Sequence, residues 1–186
     1  MTNVMVDMDQ TLIEAVLDND KRYSKAWGNL VSYKDKYGNM VKLRVHIRPN
    51  AIAMVKEIVE NGHHYIVWSA GEYYYVHAVI NYFNNKSGVW PEIIYTRGDM
   101  VSDGKSNNKY KSMQAMGYDN FIIVDDNPDL IIPSERDRII KIKSWTMEQH
   151  TDSDLDWVSK LMKLYGNTIP IIIKPRKIRF VLTDLE

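Results

Sequence analysis

The chain has 186 residues, of which 45% are apolar and 26% charged, with 24 basic and 24 acidic side chains. That size and mix suit one globular domain whose core needs no covalent staples. Zero net charge gives no bulk attraction to nucleic acid or membrane, and the absence of cysteine excludes disulfides, thiolate metal sites and cysteine nucleophiles.

The chain opens with "NVMVDMDQTLI". Its apolar part, residues 4–6, reads as a short buried strand that ends in two aspartates. Residues 29–47 read as two strands around a turn at Tyr37-Gly38-Asn39, because glycine and asparagine tolerate the positive φ of tight hairpins. Residues 48–62, "RPNAIAMVKEIVENG", carry proline at the start, apolar residues at helical spacing and glycine at the end, which predicts a helix. "HYIVWS" (64–69) is the next buried strand, and 72–83 is a helix rich in aromatics. "EIIY" (92–95) is a short strand. Residues 97–108 are loop-like, and 109–117 predict a short helix ended by glycine. "NFIIV" (120–124) is a strand that runs into Asp125-Asp126-Asn127-Pro128, and "RIIKI" (138–142) is another. Residues 152–166 predict a capped amphipathic helix. Residues 167–186 form a C-terminal extension with the pattern of a β-hairpin.

Strands alternating with helices predict an α/β domain with a parallel sheet and helices on both faces. One domain over residues 1–186 is expected, with 29–47 as a β-hairpin insertion. No apolar run reaches the ~20 residues of a membrane helix. No basic stretch followed by an apolar one opens the chain, so the expected location is the cytoplasm.

In parallel sheets, ligands bind beyond the carboxyl ends of the strands. Three predicted strands run into chemistry there: Asp7 and Asp9 after the first, Ser69 after the second, and Asp125 with Asp126 after a third. A single aspartate pair at a strand end is an ordinary turn device. Two pairs and a hydroxyl at one edge are a cluster of like charge, which is costly unless a cation compensates it. Mg²⁺ prefers such oxygen ligands and commonly works with phosphate substrates. His63 and His64 lack ligand spacing with other histidines and read as structural. Tyr73-Tyr74-Tyr75 reads as core and helix surface, and "KPRKIR" (174–179) as the turn of the terminal hairpin.

"DMDQTL" resembles the Asp-x-Asp-x-Thr signature of haloacid dehalogenase (HAD) superfamily phosphatases. Arg48-Pro49, Trp68-Ser69-Ala70 followed by Tyr75, Lys111 with Gly117, Asp125-Asp126-Asn127-Pro128 and Ser144-Trp145 extend the resemblance to the Fcp/Scp-type branch. That branch acts on the RNA polymerase C-terminal domain. The resemblance spans roughly residues 3 to 165. Two departures stand out. Ser69 replaces the more usual threonine, and the stretch from Ser69 to Lys111 is short where relatives that read protein tails carry an insert.

The resemblance implies a HAD-like, Rossmannoid sheet flanked by helices, with the small hairpin insertion after the first strand and no large cap. It implies a Mg²⁺-dependent phosphatase that hydrolyses phosphate monoesters through an aspartyl-phosphate. Asp7 would be the nucleophile and Asp9 the acid and base. Mg²⁺ would sit among Asp7, Asp9 through its backbone carbonyl, Asp125 and Asp126. Ser69 and Lys111 would hold phosphoryl oxygens, with Thr11 grouped beside them and ordering the loop. The phosphorylated substrate is a protein, a nucleotide, a nucleic-acid end or a small metabolite. Two other readings share these residue types: a receiver-like phosphoacceptor module and an inactive phosphate-binding module. Receivers place their aspartate on a middle strand, whereas here the first strand carries Asp-x-Asp-x-Thr.

Overall fold

The computed structural model describes residues 1–20, 28–102, 104, 107–146, 154–156 and 158. Its strands are β1 (Asn3–Val6), β2 (Ile13–Leu17), β3 (Asn29–Lys34), β4 (Met40–Ile47), β5 (His64–Trp68), β6 (Ile93–Tyr95), β7 (Val101–Ser102), β8 (Lys109–Tyr110), β9 (Phe121–Asp125) and β10 (Ile139–Lys141). Its helices are α1 (Ala51–Glu60) and α2 (Tyr73–Ser87).

Five strands form one parallel sheet in the order β10-β9-β1-β5-β6. The first strand of the chain is therefore the middle of the sheet. The path runs outward through β5 and β6, then returns to the other side of β1 through β9 and β10. That reversal is a topological switch, and it opens a crevice at the carboxyl end of β1. Register then decides which residues meet there. Val6 pairs with Val67 on β5 and with Val124 on β9. The next residues, Asp7 and Asp125, leave adjacent strands side by side, and the Asp7 N–H donates to the Val124 carbonyl at 2.9 Å.

Side chains alternate across the sheet, as strand geometry requires. Val4, Val6, Val67 and Val124 share one core cluster with Met54, Val55 and Ile58 of α1 and Val76, Val79, Ile80 and Phe83 of α2. Met5, Ile66, Trp68 and Ile123 share a second with Met113, Phe121 and Ile131. Proline at 49 and glycine at 62 bracket the first helix as expected, and Gly88 ends α2 in the left-handed region at φ 72°.

The expected hairpin at 29–47 is present as β3 and β4, and a strand not expected from the sequence, β2, joins it in an antiparallel sheet of order β2-β4-β3. The short run "IEAVL" of β2 follows the aspartate loop without a turn residue to announce it. The expected β3–β4 turn is present, with Gly38 at φ 84° and Asp35 accepting from the Tyr37 and Asn39 N–H groups.

The expected helix at 109–117 is not formed. Lys109–Tyr110 pairs with Val101–Ser102, and residues 113–117 form a turn. A segment this short forms no stable helix without a face to bury, and the N–H groups of Lys111, Met113 and Gln114 donate to Leu130 and Glu135 instead. The second face of the sheet is thus covered by turns among the described residues. The helix at 152–166 lies mostly outside the described residues; 154–156 and 158 are helical, and Leu155 and Val158 join the first core cluster. The C-terminal hairpin at 167–186 lies wholly outside them. Among the described residues, no helix is long and apolar enough to cross a membrane.

Phe83 is fully buried and carries α2 onto the sheet. Phe83→Ala is expected to lower unfolding free energy by about 3–5 kcal/mol, read as a lower urea midpoint at unchanged slope. A loss under about 1 kcal/mol, the size of an ordinary surface change, would place Phe83 outside the core.

Candidate active site

Asp7 begins the loop after β1 and is almost fully buried, yet it lines the cleft above the sheet edge. Asp125 ends β9 beside it. Between them lies the ammonium of Lys111, which donates to Asp7 Oδ1 at 2.5 Å and to Asp125 Oδ2 at 2.8 Å. Lys111 is fully buried and does not line the cleft; it sits behind the two carboxylates. Lys109, two residues earlier, is exposed.

Asp126 points to the same place. One oxygen from each of Asp7, Asp125 and Asp126 falls within a group whose members are no more than 4.8 Å apart. Asp126 is held by two hydroxyls: Thr11 Oγ1 donates at 3.3 Å and Ser144 Oγ at 2.7 Å. Ser144 also meets the Gln10 side chain at close range. Gln10 takes a left-handed backbone, φ 60°, and its carbonyl accepts from the Trp145 N–H at 3.0 Å and from buried Arg48 at 3.1 Å. The Arg-Pro and Ser-Trp pairs seen in the sequence therefore hold the aspartate loop.

Asp9 is placed differently. Its carboxylate accepts from Ser69 Oγ at 3.0 Å and from the Tyr75 hydroxyl at close range. The Asp9 side chain is thus outside the carboxylate cluster, and only its backbone could join a metal there. The Ser69 hydroxyl is given to Asp9, while its oxygen accepts from the Gly71 N–H at 3.0 Å. Thr11 is fully buried on Asp126 and does not line the cleft.

Burial dominates the electrostatics. It pushes Asp7 well above the usual carboxylate range; Lys111 opposes the rise, and Asp125 and Asp9 add to it. Burial also raises Asp9, against the hydrogen bonds from Tyr75 and Ser69, and raises Asp125, against the attraction of Lys111. Burial pulls Lys111 down, but Asp7 and Asp125 outweigh it and hold the amine protonated. Burial and the nearby Asp9 keep Tyr75 a phenol. One ammonium leaves the carboxylates in excess. Three hard oxygen donors with surplus negative charge fit a divalent cation of the Mg²⁺ type.

The cleft is open and holds about 520 Å³. Tyr33 reaches it from the insertion, Tyr75 and Glu72 from the start of α2, and Arg97 from the turn after β6. The Arg97 guanidinium donates to the Ala70 carbonyl at 2.7 Å and lies 3.5 Å from Glu72.

A family model for "NLI interacting factor-like phosphatase" matches residues 2–169. The chain belongs to that family. No curated protein matches this chain. Two of the solved structures similar to it are RNA polymerase II CTD phosphatases. One is the fission yeast RNA polymerase II CTD phosphatase Fcp1-R271A bound to beryllium fluoride, with TM-score 0.62 and 16% identity over 84% of this chain and 45% of that one. The other is Fcp1, an essential RNA polymerase II CTD phosphatase, with TM-score 0.61 and 15% identity over 91% of this chain and 51% of that one. The chain spans about half the length of these structures. The HAD-like parallel sheet expected from the sequence is the fold observed, and a phosphatase family of this type implies a divalent metal.

Ser144 was expected only as a motif match, and Tyr75 as a motif match and as core or helix surface, whereas its hydroxyl stands in the cleft on Asp9. Gln10, Tyr33, Arg97 and Glu72 were not singled out. Tyr75 had a usable signal, since it lies in the first turn of α2, six residues after the strand-end hydroxyl of Ser69. The contacts of Gln10 come from Arg48, Ser144 and Trp145, and Tyr33 is placed by the insertion sheet; neither leaves a local trace.

Lys111 is the cation that offsets two buried carboxylates. Lys111→Met is expected to lose about 3–5 kcal/mol of stability in chelator, and excess Mg²⁺ should restore part of it. A chelator-independent loss below about 1 kcal/mol would mean that the ammonium does not hold this cluster.

Proposed function

We propose that this protein is a Mg²⁺-dependent phosphomonoesterase in which Asp7 forms an aspartyl-phosphate. The observation that carries this reading is the juxtaposition of two differently held carboxylates. Asp7 stands against Lys111 in the acidic cluster, and Asp9 stands two residues away on Tyr75 and Ser69. One can attack while the other moves protons.

In the first half, an Asp7 oxygen bonds to phosphorus and the bond from phosphorus to the leaving oxygen breaks. Asp9 gives that oxygen its proton. The hydroxyls of Tyr75 and Ser69 suit the ionised Asp9 that remains, because they donate to both of its oxygens. In the second half, Asp9 takes a proton from water as the water oxygen bonds to phosphorus, and the bond to Asp7 breaks. Phosphate leaves and Asp7 is restored. Lys111 supplies positive charge from behind Asp7 in a site of low dielectric, where such charge acts strongly. Contact between Ser69 and a phosphoryl oxygen requires its hydroxyl to turn from Asp9. Asp7, Asp125, Asp126 and the Asp9 backbone carbonyl would hold Mg²⁺, which when bound offsets repulsion between the nucleophile and the anionic phosphate.

The receiver-like alternative is disfavoured by Asp9, which stands in the cleft with its own hydrogen-bond partners, as hydrolysis of an acyl phosphate requires. The open cleft favours a macromolecular phosphorylated substrate, such as a phosphoprotein or a nucleic-acid end. A small ester has few groups with which to use binding energy there.

Asp7→Asn is expected to abolish turnover of an aryl phosphate in a folded protein. Retention of more than about a hundredth of wild-type kcat/KM, a barrier change of only about 2.7 kcal/mol, would exclude Asp7 as nucleophile. Activity is also expected to vanish in EDTA and return with Mg²⁺ but not Ca²⁺, because Ca²⁺ takes longer bonds and more ligands. Full turnover in chelator would contradict the metal requirement.

A further inference from the structure

Lys111 is the buried side chain on which the acidic cluster turns, but the expected helix that would hold it is not formed. Something else must fix a long, flexible side chain in one place. The segment that follows Asp125 does so for its backbone. The Lys111 N–H donates to the Leu130 carbonyl at 2.8 Å, and the Ile132 N–H donates to the Lys111 carbonyl at 3.1 Å. The same segment continues from Ile132 into a 3-10 turn at Pro133–Arg138, where Glu135 N–H donates back to the Ile132 carbonyl at 3.0 Å.

Glu135 then turns inward. It is 1% exposed, which is rare for a carboxylate without a cation. Its described partners are all neutral donors from the three residues after Lys111. Ser112 Oγ donates to Oε1 at 2.5 Å, Met113 N–H to Oε2 at 2.9 Å, and Gln114 N–H to Oε1 at 3.2 Å. Ser112 Oγ in turn accepts from the Ala115 N–H at 3.1 Å. One carboxylate thus takes the N–H groups that a first helical turn would leave without partners. It pins residues 112–114 while Leu130 and Ile132 pin residue 111.

We propose that Glu135 is a positioning residue for Lys111. Through residues 112–114, it fixes the direction in which the Lys111 side chain leaves the backbone, and so places the ammonium between Asp7 and Asp125. This rests on the catalytic reading only for its kinetic consequence; the placement itself does not depend on it.

The geometry dictates the variants. Glu135→Gln keeps the volume but turns one acceptor into a donor, which then opposes an N–H or hydroxyl already aimed at it. Ser112→Ala is milder and removes one of the three donors. Crystal structures of the full chain carrying each substitution read the placement, and kcat and KM for an aryl phosphate in Mg²⁺ read its effect.

In Glu135→Gln, the ammonium is expected to lose contact with at least one of Asp7 and Asp125. Its kcat/KM should fall by about ten- to a hundredfold, the scale of a misplacement near 1 Å, mostly in kcat. Ser112→Ala should move the same quantities in the same direction by less, with little change in Tm. It also decides the matter should Glu135→Gln fail to fold. If the Lys111 ammonium keeps both contacts in the variant while only Tm falls, Glu135 is merely a structural cap and the proposal is overturned. If the wild type hydrolyses no phosphomonoester, the catalytic reading fails, and the position of Lys111 still decides this one.

Discussion

The Lys111 ammonium between Asp7 and Asp125 is the interaction on which the rest of the site depends. The two carboxylates end neighbouring parallel strands, and a parallel register that sets Val6 level with Val124 brings them together. Without a cation, two buried carboxylates in that position would repel and neutralise by taking up protons. One ammonium offsets part of that cost and leaves a residue of negative charge facing the cleft. The surplus makes the edge of this sheet a site for a hard cation, with Asp126 completing the donor set from the next residue along.

The site is built from three layers of support. The sheet places Asp7, Ser69 and Asp125 at one edge. The loop after β1 places Asp9 and Gln10, and it is held by Arg48 and Trp145 on the Gln10 carbonyl. The loop after β9 grips Lys111. Each element alone is an ordinary strand end or turn; together they fix charges that are far apart in sequence. The insertion sheet adds a wall rather than chemistry. Tyr33 faces the cleft and tilts against Tyr75 with ring centroids 6.3 Å apart. The wall leaves the cleft open, in keeping with a substrate larger than the phosphate it carries.

Much of this was legible in the sequence, for physical reasons. Buried parallel strands are continuous apolar runs, so β1, β5 and β9 stood out. The residues after them stood out because carboxylates are costly beside a core. The helix α1 was legible through periodicity and its proline and glycine boundaries, and α2 through its aromatic run, although its last turn, residues 84–87, was not. What failed was local pattern without tertiary context. β2 is a five-residue strand whose only reason to be extended is its partner β4. The segment 109–117 has the composition of a helix, but Leu130, Ile132 and Glu135 compete for its backbone and win. The Asp9–Tyr75 pair was half legible: the tyrosine was visible as a motif, whereas its contact is fixed by the way α2 packs on the sheet.

The most direct test of Asp7 as the nucleophile is to mix the protein with a fast-reacting aryl phosphate in Mg²⁺, quench in acid within a turnover, and locate the phosphoryl group by mass spectrometry of the cleaved chain. The group is expected on the peptide that contains Asp7 and on Asp7 itself, and it should be absent when the substrate is left out. Turnover with no phosphorylated residue, or with the group on Asp9, Asp125 or Asp126 instead, would contradict a covalent route through Asp7.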